Sequence, residues 1–212
     1  HADLVIFYQI ARTIKKERDV IYELLTLMGR MEAEISVASF RKSLPFYATP
    51  DFSREEGIAM EDGIHPLLED AIPNSFDITK GMLLTGSNAS GKSTFLKMVE
   101  VSAILAQTIY TVPAKAYAAK RFRVFSSMSL KDDLENHDSY YMVEIKAIKR
   151  IMDASADKTY PLLVFVDEVL RGTNTVERIA AASEIMRSFS GDNMFAFAAT
   201  HDLELTKILE DV

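Results

Sequence analysis

Apolar residues recur at three- and four-residue steps near the start of the chain: Leu4, Phe7, Ala11, Ile14, Ile21, Leu25, Met28 and Ile35. That period puts them on one stripe of a helix from Leu4 to about Ile35. Arg18 and Glu32 interrupt the stripe, and Lys15, Lys16, Glu17 and Asp19 mark the opposite face. A second helical piece is predicted from Ala33 to Lys42. At ~1.5 Å rise per residue the whole would form an arm roughly 45 Å long. Two readings stay open: a packing helix, or a lever joining this chain to other parts.

After the arm the pattern changes. Pro45 to Ser53 contains two prolines and reads as a linker. Beyond it, short apolar runs alternate with helical patterns. Strands are predicted at Ile58–Ile64, Met82–Gly86, Phe122–Leu130, Leu162–Glu168 and Met194–Thr200. Helices are predicted from Lys92 to near Tyr110, from Ser139 to Met152, and from Val176 to Phe189. Near-continuous apolar strands alternating with helices imply an α/β fold with a mostly parallel sheet covered on both faces. The expected organisation is a helical arm over 1–44, a linker over 45–56 and a nucleotide-binding unit over 57–212.

Composition narrows the classes. Apolar residues make up 48% and charged residues 26% of 212, so a sizeable core can form and disorder is excluded. The chain has no cysteine, which excludes disulfides, thiolate metal sites and cysteine nucleophiles and fits a cytoplasmic location. The longest apolar run, Pro161 to Val166, is far below the ~20 residues that span a bilayer. No secretory leader is visible, and a start at His1 suggests a fragment or a tag remnant. The net charge of −7 makes the chain a poor ligand for nucleic acid by itself, since such affinity rests on lysines and arginines neutralising phosphates.

The chemistry is concentrated in "LLTGSNASGKSTFLK", Leu83 to Lys97. Gly86, Ser87, Asn88, Ala89, Ser90, Gly91, Lys92 and Ser93 fit G-x-x-x-x-G-K-[ST], with an apolar strand before and a helix after. Glycine permits positive φ and close backbone approach to a ligand. Successive N–H groups then form an anion-binding nest, reinforced by the positive end of the following helix. Gly86 to Thr94 is therefore a candidate cradle for ATP or ADP. Lys92 would reach the β- and γ-phosphates, and the Ser93 hydroxyl would ligate Mg²⁺. Downstream, "LVFV" ends in Asp167-Glu168, a strand whose carboxylates leave the sheet beside such a loop. Asp167 would hold Mg²⁺, and Glu168 would orient or deprotonate the attacking water. A solvated acidic turn is the bland alternative.

With both motifs in place, the chain resembles the C-terminal ATPase domain of the MutS family of DNA mismatch repair proteins, within the wider ABC-type P-loop ATPases. "TGSNASGKSTFLK" resembles the family's TGPNMGGKST loop, and "HPLLED" (His65–Asp70) its HPVVE element. "VPAKAY" (Val112–Tyr117) resembles its VPA segment, and "DDLENHDSYYMVE" (Asp132–Glu144) its DDL…STFMVE signature. "DEVLRGTNT" (Asp167–Thr175) is similar to DEIGRGTST, and "ATHDLELT" (Ala199–Thr206) to ATHYFELT.

The resemblance implies further roles. Asn88 matches an asparagine near the γ-phosphate. His201 matches a switch histidine that senses that phosphate, with a strand-capping histidine as the alternative. Ser139 matches a signature serine that reaches across a dimer to the partner's nucleotide. Arg171 to Thr175 would run along the dimer interface, while Thr173 or Thr175 could cap a helix. Pro73 to Phe76 lies where the family holds adenine, and Phe76 either stacks on the base or belongs to the core. Departures mark a divergent member: His137 and Asp138 stand in the signature, Ser87 replaces a proline, and Leu170 replaces a glycine.

The implied function is an ATP-hydrolysing engine of a DNA-handling protein, acting as a homodimer or paralogue dimer. DNA would be held through domains outside this chain, which itself makes no membrane contact, and the ATPase domain would continue past Val212. Two alternatives are another ABC-type chromosome-maintenance or recombination ATPase, and a nucleotide-gated interaction module with negligible hydrolysis.

Overall fold

The computed structural model describes residues 2–87, 90–128, 140–170, 175–191 and 193–209. They divide into two compact units, His1–Pro45 and Phe46–Val212. The first is helical: α1 (Ala2–Lys16) and α2 (Arg18–Ser43). The predicted single arm is thus two helices meeting at Glu17, and the piece expected from Ala33 to Lys42 is the end of α2. Backbone bonding continues through the junction, Glu17 N donating to Thr13 O and Ile21 N to Glu17 O, so the interruption is a bend. Leu4, Phe7, Ile14, Ile21, Leu25, Met28 and Ile35 are all exposed in this unit.

The second unit holds two sheets. Strands β1 (Ile58–Gly63), β2 (Asn74–Ile78) and β4 (Ala116–Ala119) form an antiparallel sheet in the order β2-β1-β4. Strands β3 (Met82–Thr85), β5 (Arg123–Ser127), β6 (Leu162–Asp167) and β7 (Met194–Thr200) form a parallel sheet in the order β3-β7-β6-β5. The expectation of one mostly parallel sheet therefore covers only the second of these. β1 reaches β2 through a connection without a helix, and parallel neighbours need a longer crossover. The stretch expected as a linker bonds to this unit: Ala48 and Val112 exchange both backbone bonds, and Asp51 N donates to Tyr117 O at 2.9 Å.

Helices α3 (Lys92–Ile109), α4 (Tyr140–Ala154), α5 (Thr175–Ser188) and α6 (Leu203–Ile208) complete the unit. The two-residue period of a strand sends successive side chains to opposite faces. Leu163 and Phe165 of β6, with Phe195 and Phe197 of β7, join α3 and the antiparallel sheet in one core. Leu162, Val164 and Val166, with Ala196 and Ala198, join α4, α5 and α6 in the other. Both faces are covered, which is why "LLVFV" is apolar throughout rather than alternating. Phe165 and Phe197 are fully buried and stack at 5.4 Å between centroids. Among the described residues, no helix is long and apolar enough to cross a membrane.

Candidate functional site

The strand register gathers the chemistry at one edge of the parallel sheet. Thr85 of β3 lies opposite Thr200 of β7, and Asp167 of β6 lies opposite Ala199. The loop after β3, the acids ending β6 and His201 after β7 therefore emerge together. Parallel α/β sheets bind ligands at the carboxyl ends of their strands.

Gly86 and Gly91 bracket the loop with φ of +152° and +90°. At Gly91 no heavy atom lies within 4 Å of an added Cβ, so the requirement there is backbone conformation rather than space. Gly91 also occupies the N-cap of α3 and accepts the first helical bond, from Phe95 N, at 2.9 Å. A left-handed residue at that point turns the chain sharply from strand to helix, and it leaves the N–H groups of the first turn facing the loop.

Lys92 is buried, yet its ammonium is well satisfied: Nζ donates to Gly86 O at 2.7 Å and to Ser87 O at 2.8 Å. The side chain folds back over the loop instead of pointing to solvent. One residue on, Ser93 Oγ donates to Asp167 Oδ2 at 2.5 Å. That short, charge-assisted contact joins the loop after β3 to the end of β6 across the intervening β7. A hydroxyl and a carboxylate are hard oxygen donors, and the pair fits a magnesium ion that takes its remaining ligands from phosphate and water. Among the described residues no three His, Cys, Asp or Glu side chains gather into a metal cage.

Glu168 points elsewhere. Its backbone adopts φ +54°, a left-handed turn that swings its carboxylate from Asp167 toward β7. Its Oε1 lies 3.3 Å from His201 Nδ1. The two side chains share a cavity of about 200 Å³ with Val169, Arg178, Thr200 and Asp202. The structure thus brings Lys92, Ser93 and Asp167 into one cluster and Glu168 and His201 into an adjoining one.

Ser90 and Thr94 are exposed at the loop and the first turn of α3. Phe76 packs edge-on against Phe95 at 5.6 Å and Phe197 at 5.8 Å, which supports the core alternative for its ring. Asn88, Ala89, Ser139, His137, Asp138 and residues 171–174 lie outside the described residues. His65, which opens "HPLLED", is held below the usual imidazole range by burial and secondarily by the Lys97 ammonium.

Three residues that sequence reasoning left without a role enter here. Arg178 grips Asp202 with two bonds, Nε to Oδ2 at 3.2 Å and Nη2 to Oδ1 at 2.9 Å. Asp202 follows His201 directly, where the ATHYFELT stretch has tyrosine, and that substitution was the available signal. Glu144, inside the quoted signature, is buried and accepts from Leu170 N at 2.7 Å. It ties α4 to the turn after Asp167-Glu168. Its place as the last residue of the quoted signature, beside apolar neighbours in "YYMVEI", was the available hint.

Comparison with known proteins adds an independent line. The family described as MutS domain V matches residues 82–212. The chain is 32% identical over 218 residues to MutS protein homolog 4 of Homo sapiens, an alignment covering 98% of this chain and 22% of that protein. It is 30% identical over 211 residues to the DNA mismatch repair protein MutS of Thermotoga neapolitana, covering 96% and 26% respectively. With the DNA mismatch repair protein MutS of Oceanobacillus iheyensis the figures are 32% over 220 residues, covering 97% and 24%. The chain spans about a quarter or less of the length of these relatives.

Proposed function

The chain belongs to the MutS family, whose domain V it matches over residues 82–212, and on that premise we propose that it is the ATP-binding and ATP-hydrolysing engine of a DNA-handling protein. The observation that carries the reading is the Ser93–Asp167 contact at 2.5 Å beside the buried Lys92. A phosphate loop and an acidic strand end meet there in the arrangement a magnesium nucleotide requires.

In this reading Gly86 to Thr94 cradles the phosphates with backbone N–H groups. The Lys92 ammonium exchanges its loop carbonyls for β- and γ-phosphate oxygens. Ser93 and Asp167 would hold Mg²⁺, whose charge would offset that of the phosphates. Glu168 orients a water for in-line attack on the γ-phosphorus and accepts its proton. The P–O bond to ADP breaks, and ADP and phosphate leave. His201, beside Glu168, reads the presence of the γ-phosphate. Most of the acceleration comes from positioning and fixed charge, because phosphoryl transfer demands little covalent chemistry of the protein.

Ser139 of a second subunit would complete the site in a homodimer or paralogue dimer, and parts of the protein outside this chain would hold DNA. The family membership and the mismatch-repair names of the relatives support that extension. The test is Glu168→Gln. It should bind ATP as the parent does and hydrolyse it at least tenfold more slowly, about 1.4 kcal/mol of barrier. Equal turnover would remove Glu168 from the chemistry. A parent that binds ATP and never turns it over would support a nucleotide-gated module instead.

A further inference from the structure

Arg178 and Asp202 form an enclosed ion pair with no part in the chemistry above: each side chain is only 14% exposed. The guanidinium meets both carboxylate oxygens. That fork-on-fork geometry fixes direction as well as distance. Asp202 is fixed a second time through its backbone, its N–H donating to Thr200 Oγ1 at 3.0 Å. Between these two anchors sits His201. Its Nδ1 is 3.3 Å from Glu168 Oε1, and its Nε2 is 3.7 Å from Asp202 Oδ1. The imidazole is therefore flanked by a carboxylate on each side, and that of Asp202 is itself held by an arginine. Arg178 stands on α5, the helix that follows the turn after Glu168, so the pair also connects α5 to the turn after β7.

We propose that Arg178 and Asp202 act as a positioning clamp that holds the His201 ring against Glu168. The hydrogen bonds of Arg178 among the described residues go to Asp202, so its influence on hydrolysis runs through Asp202. The proposal rests on the reading of Glu168 and His201 as the hydrolytic pair, and it adds what sets their geometry. It also accounts for an acid at position 202, where tyrosine stands in the resembling stretch: a phenol has one oxygen and cannot present the two acceptors that meet the guanidinium fork.

The experiment compares Arg178→Ala with the parent, each alone and combined with His201→Ala, in the full chain. Magnesium-ATP affinity should stay within about twofold, since the clamp supplies none of the cradle or metal residues named above. Single-turnover hydrolysis should fall about tenfold in Arg178→Ala. In the His201→Ala background the same substitution should have no further effect, because the ring it positions is gone. Arg178→Lys, which keeps the charge and loses the fork, should fall between, and it carries the same comparisons should Arg178→Ala melt early. Parent-like hydrolysis in Arg178→Ala would overturn the clamp, and so would a loss of equal size in both backgrounds. The ring itself is read by the NMR signal of the His201 Cε1–H group, assigned by its disappearance in His201→Ala. It should move in Arg178→Ala. An unmoved signal overturns the clamp even if the parent hydrolyses nothing, whereas a silent parent with a moved signal defeats only the hydrolytic reading.

Discussion

Ser93 and Asp167, 74 positions apart in the chain, meet at 2.5 Å at the carboxyl edge of the parallel sheet. Neither residue alone marks a metal site, because a serine at a helix start and an aspartate at a strand end are both common caps. Their contact across the end of β7 joins the two motifs.

Removing the hydroxyl tests that element. Ser93→Ala should raise the Mg²⁺ concentration needed for half-maximal nucleotide binding on the order of tenfold, about 1.4 kcal/mol. Binding of ATP in excess chelator should change much less. A magnesium titration followed by a fluorescent ATP analogue checks this. An unshifted midpoint would take Ser93 out of the metal site.

Leu170 presents a conflict that magnitudes decide. Its φ of +59° is left-handed, and the resembling DEIGRGTST stretch has glycine there, yet the leucine is 3% exposed and belongs to the core under β6. Relieving a left-handed backbone gains roughly 1–2 kcal/mol. Deleting a buried leucine side chain costs about 2–5 kcal/mol. Leu170→Gly should therefore be destabilised, by up to about 4 kcal/mol in urea unfolding, despite restoring the family residue. Greater stability would mean that the strain outweighs the packing.

Much of the sheet was legible because its strands are buried on both faces and bounded by turn chemistry. "LLVFVDE" and "MFAFAAT" carry no polar interruption, and β6 and β7 follow them closely. Short elements escaped. β4 is "AYAA" and β2 is "NSFDI", neither long enough to show a period, and α6 has six residues. The antiparallel sheet was hidden because strand partnership is non-local, whereas periodicity is local. The phosphate loop and the acids were legible because spacing itself carries their chemistry. Arg178, Asp202 and Glu144 were not, since their partners lie 24, 24 and 26 positions away.

Stability should also respond to pH through Glu100. Burial pushes its carboxyl above the usual glutamate range, against a hydrogen bond from Ser126 and the Lys97 ammonium. A raised acid binds its proton more tightly in the folded chain than in the unfolded one. Its contribution is thus fully present below the ordinary glutamate range and is lost as pH rises through the folded value. Glu100→Gln removes a half-buried charge at neutral pH. It should raise the melting temperature at pH 7, and the difference should close as pH falls through the glutamate range. Paired melts at pH 4 and pH 7 check this, and a gain of equal size at both would assign the effect to packing.

The account depends most directly on Lys92, whose ammonium bridges Gly86 O and Ser87 O at the mouth of the loop. Calorimetric titration of the chain with ATP and Mg²⁺, beside the same titration of Lys92→Ala, tests it. One saturable site is predicted in the parent, weakened at least tenfold, about 1.4 kcal/mol, by the substitution. Absence of binding in the folded parent, or equal affinity in both proteins, would contradict it.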